Sequence, residues 1–76
     1  MKLDDVWIVE AKNGNSNKVV DWVAYDNKTE AINHAINYRH DIYEVYVLHN
    51  GELVFALGLD EELAETLHKE GVEILG

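Results

Sequence analysis

The chain has 76 residues, with fifteen acids against six bases for a net charge of −9 at pH 7, and no cysteine. That length leaves room for one hydrophobic core, and neither a disulfide nor a thiolate metal site can brace it. A field of this sign repels nucleic acid and anionic membrane and draws in basic partners, so direct nucleic-acid or membrane binding is not expected.

At 47% hydrophobic, with two Trp, four Tyr and one Phe, the composition is that of a folded chain rather than an acidic disordered tail. The first residues, Met1-Lys2-Leu3-Asp4-Asp5, place acids where a secretion signal needs a basic start and an apolar run. No apolar stretch approaches the roughly 20 residues that span a bilayer. A cytoplasmic location is expected.

Residues 6–11 are rich in β-branched and aromatic side chains and predict the first strand. A polar, turn-forming run over 12–17 leads to a second strand over 19–25, and the two predict an antiparallel hairpin. A helix should open at Asn27 or Asp26, since Asn27 followed by Glu30 fits a capping box. Ile32, Ala35, Ile36 and Arg39 form its inward arc with Ala31 at the edge, while Glu30, Asn33, His34 and Asn37 should face water. The helix should fade around Arg39-His40-Asp41.

Residues 42–48 predict a third strand and 53–57 a fourth. Between them, Asn50-Gly51 predicts a type I′ turn, which needs positive φ at both central residues. Gly58 should end the fourth strand. Asp60 should cap a second helix with Glu61 and Glu62 at its positive end and Leu59, Leu63, Ala64 and Leu67 on its apolar side. Gly71 should close that helix in the left-handed conformation, and 72–75 can add a short last strand. The expected fold is a single α+β domain over 1–76, in the order ββαββα with a possible fifth strand. A four-stranded antiparallel sheet would carry both helices on one face.

Strand alternation then sorts the two sheet faces by where charge falls. The uncharged set is Trp7, Val9, Ala11, Val20, Trp22, Ala24, Tyr43, Val45, Val47, Leu53, Phe55 and Leu57, and it should be the core. The opposite set carries Glu10, Asp21, Glu44 and Glu52, yet it also holds Val6, Ile8, Val19, Val23, Tyr25, Ile42, Tyr46, Leu48 and Val54. A half-solvated sheet should read polar on its outer side. Either β-propensity alone put these residues there, or the face is covered by a second copy or a partner, because a soluble monomer tolerates an apolar patch of only about 400 Å². The candidate partner-binding residues are therefore Ile8, Glu10, Asp21, Val23, Tyr25, Glu44, Tyr46, Glu52 and Val54, with a two-fold dimer the simplest self-association.

Catalytic chemistry is sparse. The histidines at 34, 40, 49 and 68 form no metal-ligand spacing, so a metal site would need long-range assembly from His40, Asp41 and His49. Ser16 is the only serine and sits in a turn-like run, and the five glycines are isolated rather than grouped into a phosphate loop. No catalytic residue, cofactor or metal is expected.

The pattern points to a small non-catalytic protein-binding module, an inhibitor or antagonist of a host protein with a basic surface. Phage and mobile elements encode such proteins, some of which mimic nucleic-acid charge. An alternative is an oligomer that binds or sequesters a small molecule or nucleotide between subunits, lined by Tyr25, Tyr46 or Trp22. A third is an accessory subunit of a larger assembly.

Overall fold

The structure, a computed structural model, describes residues 5–39 and 42–75. The elements run β1 (Trp7–Asn13), β2 (Val19–Tyr25), α1 (Lys28–Ile36), β3 (Tyr43–His49), β4 (Glu52–Leu57), α2 (Glu61–Lys69) and β5 (Glu73–Leu75). This is an α+β fold with one five-stranded sheet in the order β2-β1-β3-β4-β5. The short last strand forms, and it pairs with β4 in parallel, whereas all other pairs are antiparallel.

Local signals act where the sequence places them. The Asn27 side chain accepts from the Glu30 backbone N–H at 2.9 Å, and Asp60 accepts from that of Leu63 at 2.8 Å, each satisfying a donor that the first helical turn leaves open. Asn50 and Gly51 take φ of 51° and 87°, as a type I′ turn requires, and Gly71 closes α2 at φ 93°. Lys69 lies 3.6 Å from Glu65, one turn earlier. α1 ends at Ile36, before the expected fade around Arg39-His40-Asp41, of which His40 and Asp41 lie outside the described residues; the backbone N–H groups of Tyr38 and Arg39 turn to carbonyls three residues back, a tightened last turn.

The core lies between α1 and the sheet. Ala31 and Ala35 of α1 are fully buried against Val9 and Ala11 of β1, Val45 and Val47 of β3, and Phe55 and Leu57 of β4. Three alanines at this contact bring helix and sheet backbones close together. Ile36, expected on the inward arc, lies past the edge and is exposed.

Two expectations about the faces are corrected by register. In β2, Asp21 is opposite Ala11, Val23 opposite Val9 and Tyr25 opposite Trp7. Cross-strand partners share a face, so Asp21, Val23 and Tyr25 point toward α1 while Trp22 and Ala24 point away. Trp22 is 61% exposed and Val20 50%, so neither they nor the exposed Ala24 belong to the core. Lys12 pairs with Val19, which leaves Val20 as a bulge residue. In β4, Val47 is opposite Phe55 but Leu48 is opposite Leu53, so Val54 is the extra residue. That bulge turns Leu53 to the outer face and packs Val54 against the core, reversing both. Ile42 precedes β3 and is exposed.

The two helices do not share a face. β2-α1-β3 and β4-α2-β5 are both crossovers between parallel strands, and they advance in the same direction across the sheet from strands of opposite sense. Right-handed crossovers then put the helices on opposite sides. Burial agrees: no residue of α2 belongs to the core beneath α1, while Ala56, which faces away from α1 beside Tyr46 and Ile74, is fully buried. Leu63, Ala64 and Leu67 of α2 are half-buried, and α2 packs against β5.

Two stability experiments follow from these placements. Phe55→Ala should cost about 3–5 kcal/mol and Trp22→Ala about 1 kcal/mol or less, read by urea denaturation; equal costs would mean that β2 is turned the other way. Gly58 has φ 75°, and a Cβ there would collide with the Tyr43 carbonyl oxygen, whereas one at Gly71 would meet nothing within 4 Å. Gly71→Ala should therefore cost only the left-handed penalty of about 1–2 kcal/mol and Gly58→Ala clearly more. An equal fall in Tm would show that the β4–α2 turn relaxes freely.

Candidate functional site

Two groups of side chains stand out, one on each face of β2. The first is a polar clasp toward α1. The Asp21 carboxylate accepts from the Tyr38 hydroxyl and from His34 Nε2 at 2.7 Å, and His34 Nδ1 lies 2.9 Å from the Tyr25 hydroxyl. Because Nε2 donates to the carboxylate, the neutral ring accepts from Tyr25 at Nδ1; when protonated, it donates at both positions. Both ring nitrogens are engaged, so His34 braces β2 against α1 rather than facing water as its place on the helix suggested. The hydrogen bond from Tyr38, then that from His34, holds the Asp21 carboxyl below its ordinary value of 3.8.

The second group is the outer face of β2, β1 and β3. Ile8 and Glu10 of β1 stand between Ala24 and Trp22 of β2 and Leu48 and Tyr46 of β3. Leu53 continues the row beyond Leu48. Lys12 lies 5.5 Å from the centre of the Tyr46 ring, and the Tyr46 hydroxyl donates to Glu44 at 3.0 Å. Desolvation, the Glu44 carboxylate, and Glu10 and Asp60 nearby push the Tyr46 phenol up to about 12. The face thus has an apolar stripe from Trp22 through Ile8 to Leu48 and Leu53, bordered by carboxylates with a single lysine among them.

Of the nine candidate partner-binding residues, Ile8, Glu10, Glu44 and Tyr46 meet on this face. Asp21, Val23, Tyr25 and Val54 turn toward α1, and Glu52 sits at the β3–β4 turn opposite His49. Trp22, Ala24 and Leu53 take their places; alternation alone could not find them, because each lies where a bulge or hairpin register sets the parity. Trp22 and Tyr25 point to opposite faces and do not line a common pocket.

The remaining chemistry is structural. His49 stacks on Trp7 with centroids 3.9 Å apart and bonds Asp5 at 2.8 Å. The Ser16 hydroxyl accepts from the Lys18 backbone in the β1–β2 loop. His40 and Asp41, invoked for a metal site, lie outside the described residues; among the described residues no His, Asp and Glu cluster could hold a metal ion. Among them too, no helix is long and apolar enough to cross a membrane. The chain matches no known protein family model, no curated protein and no solved structure.

The clasp carries a pH prediction. A carboxyl held below its ordinary value contributes stability that is present above the unfolded value and is lost as pH falls through the folded one. Asp21→Asn should cost about 1–2 kcal/mol near neutral pH and flatten the stability profile below about pH 4. Tyr38→Phe, which removes the larger cause, should move the Asp21 carboxyl titration upward by NMR. An unmoved titration would show that the Tyr38 bond contributes nothing.

Proposed function

We propose that this chain is a non-catalytic protein-binding module that docks the outer face of β2, β1 and β3 on a basic surface of its target, as an inhibitor or antagonist would. The observation that carries this reading is Trp22: an indole 61% exposed on a strand whose neighbours add Ile8, Leu48 and Leu53 to the same face. Exposed large aromatics that adjoin an apolar patch are common anchors of protein interfaces. The border of Glu10 and Glu44 and the net charge of −9 favour a basic target, speed its capture and disfavour acidic competitors. Imitation of nucleic-acid charge would be one narrower form of the same reading.

The test is affinity capture. Immobilised protein should retain a stoichiometric partner from lysate of the source cell, released by raised salt. Trp22→Asp and Leu48→Asp, with unchanged circular dichroism, should each lose it. Retention of the same protein by both variants would remove the outer face from the interaction.

A further inference from the structure

Resting on that reading, we infer that the partner contributes an extended basic segment that pairs with the free edge of β2 and adds a sixth strand to the sheet. Among the described residues, only one of the two sheet edges is guarded. β5 is three residues long and begins with Glu73, and short, charged edges resist pairing. β2 has seven residues, pairs on one side only with β1, and contains neither proline nor lysine between Val19 and Tyr25. Its bulge is confined to Val20, so the run from Asp21 to Tyr25 keeps a regular register against β1. Asp21, the one charge pointing off this edge strand toward the helix, is occupied by His34 and Tyr38. Val19, Val20 and Trp22 are at least half exposed along the same strand.

Charge selects the segment. Where β2 ends, a shallow cleft of about 370 Å³ is lined, among the described residues, by Asp5, Asp26 and Glu30 together with Val6, Ala24 and Tyr25, none of them basic. A strand laid along β2 would bring a lysine or arginine side chain to that cleft at one end and an apolar side chain against Trp22 in the middle. A second copy of this chain would bring another −9 to the same edge, which opposes it. Main-chain pairing supplies affinity in such additions and alternate side chains supply selectivity.

The probe is a synthetic nine-residue peptide of alternating valine and lysine, compared with its valine–glutamate counterpart and with a form N-methylated on alternate residues. The lysine peptide should shift and protect the backbone amides of residues 19–25 in NMR. The glutamate peptide should not bind, and N-methylation, which keeps the charge but removes half of the strand donors, should abolish binding. Asp26→Asn with Glu30→Gln, which leaves the Asn27 cap in place, should weaken binding about fivefold. The inference is overturned by equal binding of the N-methylated form, by shifts centred on Ile8 and Leu48, by no binding at millimolar peptide, or by amides of β2 that become protected with protein concentration alone, the signature of a second copy. A captured partner lost in Leu48→Asp but leaving β2 amides unprotected would sink this inference while sparing the proposed function.

Discussion

Asp21 stands between a strand and a helix, where a carboxylate needs donors to offset the water it gives up. It finds them in Tyr38 and His34, and His34 in turn engages Tyr25 from the other end of the same strand. Four side chains thus fix which way β2 faces. Once Asp21 and Tyr25 are turned to α1, Val23 follows them inward, and Trp22 and Ala24 have nowhere to go but outward. The opposite choice would hide an indole and free a carboxylate, which hydrophobic transfer alone would favour. Packing opposes it: α1 lies close on the sheet through Ala31 and Ala35 against Ala11, and an interior at native density has no room there for an indole.

How much of this was legible in the sequence divides along a physical line. The Asn27 and Asp60 caps, the Asn50-Gly51 turn, the Gly71 terminator and the strands were readable because each is decided by a few adjacent residues. The outward display of Trp22 was not. The parity of a strand depends on hairpin register, and bulges at Val20 and Val54 each add one residue that no alternation pattern reveals. Sorting faces by charge also misled at Asp21, since a carboxylate with partners is compatible with the inner side. The site was legible in part: alternation brings Ile8, Glu10, Glu44 and Tyr46 together, but it sends Trp22 and Leu53 to the core they avoid.

The distribution of cover over the sheet explains why one region remains open. α1 closes the inner face, and α2, carried to the other side by its own crossover, packs at the β5 end, where Ala56 is fully buried. No element of the described residues covers the outer side of β2, β1 and β3. An apolar stripe therefore borders a long, unguarded edge strand in a chain whose charge suits basic partners. Stability and display are linked through β2, because the clasp that anchors it to α1 is also what turns Trp22 outward.

Everything on the outer face depends on the orientation of β2, which the accessibility of Trp22 reports. In a Trp7→Phe background the remaining indole reports on position 22 alone, and its fluorescence can be quenched with acrylamide in the folded and the urea-unfolded protein. An outward Trp22 should give red-shifted emission and a folded-state quenching constant more than half of the unfolded one. A blue-shifted indole that acrylamide barely reaches in the folded protein would place Trp22 in the core, and with it would fall the clasp's role in facing β2 and the outer face built on it.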